Sequence, residues 1–239
     1  MDNAVFYYGP SLLTGEPIVA AITGLSTPTA NEKTGPMLQT WILCADMKPT
    51  EAVKRGADEA ICGTCALRSG TNIGRACYVV WWLGPQQVFK ALDSYRLRPV
   101  NHLAREIEGQ HVRLGAYGDP AAVPLEVWLQ LTRHAAGWSG YTHQWKTCDE
   151  RFKSLLMASV DTPRQKVEAQ ARGWRTFHLR RHGDVPSADE VICPASKEGD
   201  YRSTCAECQL CRGTAREAKS VAIYPHGQRT KWLPTEVVV

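Results

Sequence analysis

The chain has 239 residues, 44% of them hydrophobic and 22% charged, with no low-complexity tract, so it is long enough for one large domain or two small ones with a sizeable core. Its net charge of +4 is too small to argue for nucleic-acid binding by itself. The longest apolar runs, Ile18 to Ile22 and Tyr78 to Leu83, are far too short to span a bilayer, which excludes a membrane-spanning helix.

Met1-Asp2-Asn3-Ala4 carries no basic leader, so the expected location is the cytoplasm, where thiols stay reduced. Strand-like pieces follow at Ile18–Ile22 and Leu38–Leu43, suited to a hairpin or to the first strands of a barrel. Further on, His111 to Gly118 alternates like a half-buried strand and stops at Asp119-Pro120. Pro124 opens a helix that runs to about Gly137, and Tyr141 to Trp145 reads as a short strand. Ser154 to Val160 reads as a buried strand. Asp161 or Thr162 is then an N-cap ahead of Pro163, for a helix from Arg164 to Arg172 that closes at Gly173. Trp174 to Arg180 and Ser220 to Tyr224 are the last strands. Strand and helix in alternation imply parallel β–α units. The expected fold is α/β, a partial or decorated β/α barrel with mostly parallel strands and cysteine-rich loops, since the chain is short for a complete eight-unit barrel. A single domain over residues 1–239 is expected, with an N-terminal part (1–105), a β/α middle (106–192) and a C-terminal part (193–239).

Nine cysteines cannot all pair within one chain, and in a reducing compartment clustered cysteines are metal or cluster ligands more often than disulfide partners. Thr204 precedes Cys205-Ala-Glu-Cys208-Gln-Leu-Cys211, and Cys193-Pro194 lies just upstream. Three thiols in one Cys-x2-Cys-x2-Cys loop and a distant Cys-Pro match the ligand pattern of a bacterial-type [4Fe–4S] cluster. Structural zinc is the alternative, although zinc sites usually use pairs of Cys-x2-Cys knuckles. Cys44, Cys62, Cys65 and Cys77 form a second group around the knuckle Cys62-Gly-Thr-Cys65, readable as a second cluster, as zinc or as a redox dithiol. Cys148 is left over as a core thiol.

The expected strand ends carry Asp119, His143, Asp161 and His226, a candidate substrate site of acid–base residues. Each has a plainer role: helix N-cap for Asp119 and Asp161, core histidine for His143, turn for His226. The basic stretch from Arg172 to His182 suits a solvated face better than a phosphate patch. No dinucleotide fingerprint, phosphate-binding loop, Gly-x-Ser-x-Gly elbow or His-Glu-x-x-His helix is present.

The motifs Cys62-Gly-Thr-Cys65, Arg75-Ala-Cys77-Tyr78, Arg113-Leu-Gly-Ala-Tyr-Gly-Asp119-Pro120, Tyr141-Thr-His-Gln-Trp145, Gly173-Trp-Arg-Thr-Phe177, Cys193-Pro194 and the C-terminal cysteine loop resemble a group of phage and bacterial proteins akin to the phage gene-product-88-like family. The resemblance covers most of the chain from Cys62 to Gly227. It implies a partial β/α barrel of the radical S-adenosylmethionine type, an iron–sulfur cofactor and, for a phage protein, the host cytoplasm. The radical-enzyme spacing Cys-x3-Cys-x2-Cys is missing, so no catalytic residue is carried over. Three functions remain open. One is a redox or radical-type iron–sulfur enzyme with an electron donor as partner. The second is a cluster that staples the fold or senses redox state, and the third is a zinc-bearing nucleic-acid-binding module.

Overall fold

The structure is a computed structural model and describes residues 3–27, 31–68, 76–181 and 183–225. Strands β1 (Ala4–Pro10), β2 (Pro17–Thr23) and β3 (Leu38–Cys44) pair antiparallel in chain order. Ile18 to Ile22 are all buried, which is why that segment reads as a continuous apolar run and not as an alternation. Helices α1 (Pro49–Arg55), α2 (Glu59–Cys62), α3 (Gly84–Ala91) and α4 (Val100–Glu106) follow, with the short strand β4 (Arg96–Leu97) between the last two. The β/α run then comprises β5 (His111–Tyr117), α5 (Leu125–Leu131), β6 (Gly137–Thr142), β7 (Met157–Val160), α6 (Pro163–Ala171) and β8 (Thr176–Leu179). Strand β9 (Glu190–Ile192), the one-turn helix α7 (Cys205–Cys208) and strand β10 (Ser220–Ile223) complete the described chain.

These strands make one ten-stranded sheet in the order β4-β1-β2-β3-β5-β6-β7-β8-β10-β9. Apart from the two antiparallel pairings among β1, β2 and β3, the pairings are parallel. The fold is therefore α/β with a mostly parallel sheet. The sheet is open, with β4 and β9 at its edges. From β3 to β8 each parallel strand is added on the same side of the one before. Right-handed crossovers then place every connecting helix on one face. The burial pattern agrees: Leu103, Trp128 and Ala169 from α4, α5 and α6 share one core with Val112, Leu114, Ala158 and Val160. The alternate strand positions face the other way. There Met157, Val221 and Ile223 form a smaller core with Cys193, flanked by Tyr141, Phe177, Cys205 and Cys211.

Several element bounds differ from the sequence reading. Helix α5 stops at Leu131, well short of Gly137, because the Thr132 hydroxyl donates to the Trp128 carbonyl (2.8 Å) and a turn follows. Gly137-Trp-Ser-Gly140 belongs to β6, so the strand begins four residues before Tyr141 and ends at Thr142. Those glycines are spacing residues: a Cβ on Gly137 would run into Gln209 and one on Gly140 into Leu156. Ser154 ends a 3-10 turn ahead of β7. Thr162, not Asp161, caps α6, its hydroxyl accepting from the Gln165 N–H (3.1 Å).

The end of β5 is bent by an irregularity. Gln39 pairs with Arg113 and Trp41 with Tyr117, so β5 carries extra residues there. Gly115 absorbs the bulge at φ +70°. The Thr40 hydroxyl bridges the gap, donating to the Arg113 carbonyl (3.0 Å) and accepting from the Gly115 N–H (2.9 Å). A Cβ on Gly115 would lie 2.6 Å from the Gly118 carbonyl oxygen. Gly115→Ala is expected to cost at least about 1–2 kcal/mol from the left-handed backbone alone, seen as a lower guanidinium midpoint at unchanged slope.

Candidate metal centre

The C-terminal thiols sit on the face of the sheet opposite the connecting helices α4, α5 and α6. Cys193 directly follows β9, and its N–H donates to the Ala222 carbonyl of β10 (2.8 Å). Cys205 and Cys208 bound α7, whose start is fixed by a capping box between Thr204 and Glu207. The helix is tied to the loop before β3: the Cys205 N–H donates to the Lys33 carbonyl and the Ala206 N–H to that of Thr34, both at 3.0 Å. Gly35 (φ +66°) lets that loop come close, since a Cβ there would touch the Thr204 hydroxyl at 2.9 Å. Gln209 takes a left-handed turn after α7 and reaches His111 Nε2 (2.7 Å) at the start of β5. The Cys211 carbonyl accepts from the Gly140 N–H of β6 (3.1 Å).

Arg175 holds the exit of this loop. Its Nε donates to the Ala218 carbonyl (2.8 Å), Nη1 to Leu210 and Gly213 (2.8 Å each) and Nη2 to Lys219 (2.5 Å). Arg216 donates to the Cys208 carbonyl (2.7 Å), and the Arg212 guanidinium lies 4.3 Å from the Trp138 ring centroid. The arginines of the basic stretch are thus engaged within the protein: Arg172 pairs with Glu168 (2.9 Å) and Arg180 with the buried Glu190 (2.7 Å).

The four thiols are electrostatic neighbours. Burial pushes Cys193, Cys205 and Cys211 up from the ordinary thiol range, and the other thiols of the set, Cys208 among them, push further. The Tyr141 hydroxyl bonds to Cys211 and acts the other way. Lys33 draws Cys193 and Cys205 down, Arg113 draws Cys205 down, and Arg175 faces Cys211. Arg113 and Tyr141 share this face by register, since Arg113 pairs with Ser139, two residues before Tyr141. Among the described residues, no three His, Cys, Asp or Glu side chains gather tightly enough to hold a single metal ion.

The first cysteine group is placed differently. Cys44 is buried and its thiol donates to the Ala57 carbonyl (3.5 Å); burial, and after it Asp58, pushes it up to about 11. Its ionisable neighbours are carboxylates, which sets it apart from the knuckle. Cys65 lies by His143. The Cys77 N–H donates to the Leu67 carbonyl (2.7 Å). Cys148, the leftover thiol, is pushed up to about 12 by burial and by Asp119.

Asp119, His143 and Asp161 come together at the ends of β5, β6 and β7. The Asp119 carboxylate accepts from the His143 N–H (2.8 Å) and the Ala121 N–H (3.0 Å), and burial raises it above the usual carboxylate range. His143 Nε2 lies 3.6 Å from Asp161 Oδ2. Burial opposes the imidazolium, yet Cys65 and Asp161 outweigh it and hold His143 well above its ordinary value, while His143 overrides burial to hold Asp161 low. His226 lies outside the described residues. Gln144 also stands at the end of β6, and sequence reasoning did not foresee that it grips the knuckle: its Nε2 donates to the Cys62 carbonyl (3.1 Å) and its Oε1 accepts from the Thr64 hydroxyl (3.1 Å). Sequence reasoning missed Lys33, Arg113, Tyr141 and Arg175. Only the shared face of Arg113 and Tyr141 had a signal, their place in alternating strands.

No family model, curated protein or solved structure matches the chain.

Removing the loop clamp with Arg175→Met is expected to leave four carbonyls short of a charged donor, at a net cost of about 1.5–3 kcal/mol, with faster amide hydrogen exchange over residues 210–219. A raised His143 stabilises the fold below its unfolded value of about 6.5, and that stabilisation is lost as pH rises through the folded value. Asp161, held low, stays ionised throughout this window. The stability gap between the native chain and Asp161→Asn is therefore expected to be widest near pH 6 and to narrow toward alkaline pH in thermal melts.

Proposed function

We propose that this chain is an iron–sulfur protein whose C-terminal loop holds a [4Fe–4S] cluster through Cys193, Cys205, Cys208 and Cys211. The observation that carries this reading is that Cys193, Cys205 and Cys211, from two separate segments, meet at one small core, with Cys208 as their electrostatic neighbour and Lys33, Arg113 and Arg175 beside them. Four thiolates in one site would repel one another without such cations. A single zinc ion would need the sulfurs drawn to about 3.8 Å of one another, as follows from Zn–S bonds of about 2.3 Å in a tetrahedron. A cubane with an iron at each corner suits thiolates that are neighbours without meeting at one point.

When bound, the cluster would supply one-electron transfer. The chain's own residues do the rest. Tyr141 offers a hydroxyl to Cys211, Arg175 and the capping box fix the loop, and the apolar side chains of Met157, Phe177, Val221 and Ile223 line the site's floor. Such hydrogen bonding and exclusion of water tune a cluster's potential. A redox or radical-type reaction fed by an electron donor is the function we assign. The open, progressively ordered sheet is read as a partial barrel, as the gene-product-88-like resemblance suggests.

Anaerobic purification followed by iron and sulfide assay tests the cofactor. About four of each per chain are expected, with an electron paramagnetic resonance signal appearing on dithionite reduction. Cys208→Ala should lose the colour and some stability, because binding is coupled to folding. Cys148→Ala should keep full cofactor content. A colourless chain with stoichiometric zinc would sink the reading.

A further inference from the structure

The Cys62–Cys65 turn is not absorbed by the cluster reading. The Cys65 N–H donates to the Cys62 carbonyl (3.2 Å), which closes a four-residue turn. The Cα atoms at the ends of such a turn lie within about 7 Å, and a disulfide bridges about 4.4–6.8 Å. Gly63 makes the turn at φ +51°, where a Cβ would strike Gln144. Gln144 clamps the turn, accepting from the Thr64 N–H (3.3 Å) and donating to the Cys62 carbonyl (3.1 Å), and its neighbour His143 interacts with Cys65. Both cysteines are partly exposed. His143 Nε2 is shut off from solvent and lies 3.6 Å from Asp161 Oδ2, so the pair is held together away from water. The charged groups that face His143 are Cys65 from the turn, Asp161 after β7 and Asp119 after β5; His178 of β8 acts on Asp161.

We propose that Cys62 and Cys65 form a redox dithiol that reduces a disulfide substrate, with Cys65 as the attacking thiol, His143 as its proton partner and Asp161 as the residue that positions His143. In the first step Cys65, its proton already held on His143, attacks one substrate sulfur as the thiolate. The substrate S–S bond breaks, a Cys65–substrate mixed disulfide forms, and the leaving thiolate takes the proton back from His143. In the second step Cys62 passes its proton to His143 and attacks the Cys65 sulfur. The mixed disulfide breaks, the second substrate thiolate leaves with that proton, and a Cys62–Cys65 disulfide remains. Two electrons and two protons pass from the dithiol to the substrate, which becomes two thiols.

The test uses the full chain with oxidised glutathione as the probe, followed by alkylation, trypsin and mass spectrometry. Cleavage after Arg55 and Arg68 releases a peptide whose only thiols are Cys62 and Cys65. It is expected to appear lighter by two hydrogen atoms. Cys62→Ser should halt at a glutathione adduct on Cys65, whereas Cys65→Ser should slow adduct formation on Cys62 by at least about tenfold. His143→Gln should slow the native reaction by a similar factor, with partial recovery in free imidazole, which a purely structural role would not show. The proposal is overturned if Cys62→Ser gives no Cys65 adduct, if Cys65 reacts no faster than Cys148, or if imidazole restores nothing. Iron content is assayed alongside, so loss of the cluster reading is distinguishable from loss of this one.

Discussion

The constraint on which the rest of the structure depends is the handedness of the β–α crossovers. With strands added in one direction, right-handed connections must all fall on one face. The larger core, around Trp128, Leu103 and Leu114, is built there. The opposite face receives no crossover helix, and its apolar positions must be covered by something else. The segment from Cys193 to Arg216 covers them, so the residues that complete the fold are the same ones that bring four thiols together. Site and fold are one requirement: a loop held only by its own backbone could not exclude water from Met157 and Val221.

That arrangement carries an electrostatic cost. Buried thiols beside one another resist ionisation, as the upward displacement of Cys193, Cys205 and Cys211 shows. The protein offsets part of it with Lys33 from the loop before β3, Arg113 from β5 and Arg175 from just before β8, three elements far apart in sequence. Thiols that serve as cluster ligands must lose their protons, and in the role proposed above the nearby cations would favour that loss. Arg175 has two tasks, since the same guanidinium that faces Cys211 bonds the carbonyls of the loop's exit.

Much of the fold was legible. Alternation marked β5, the Thr162-Pro163 pair marked the start of α6, and the largely apolar stretch Ser154 to Val160 marked β7 with a start three residues early, because each signal is local. The start of β6 was not legible: Gly137 and Gly140 look like breakers, and their purpose, admitting Gln209 and Leu156, exists only after long-range packing. The cysteine loop announced itself by spacing. Its counter-charges did not, because Lys33, Arg113 and Arg175 become neighbours of the thiols only through sheet order. Cys44 illustrates the opposite error. It ends a strand near a knuckle in sequence, yet the strand's register turns it toward the Ala57 carbonyl and two acidic groups, where ionisation is opposed.

Cys44 and Cys65 together show why counting thiols is a poor guide to their chemistry. A thiol's use is set by what stabilises its thiolate. Burial, and carboxylate neighbours after it, push the Cys44 and Cys148 thiols up and oppose their thiolates. The proposed ligand role of the C-terminal set accords with its fixed cations, because such charges cannot take up a proton and let it go again near neutrality. Cys65 faces His143, which Cys65 and Asp161 hold well above its ordinary value, so the charge beside it is a proton that can be handed on and replaced. A ligand needs its proton removed once; a redox thiol needs one moved in every cycle. The difference between Arg113 beside one group and His143 beside the other is therefore the physical basis for assigning the two groups separate roles.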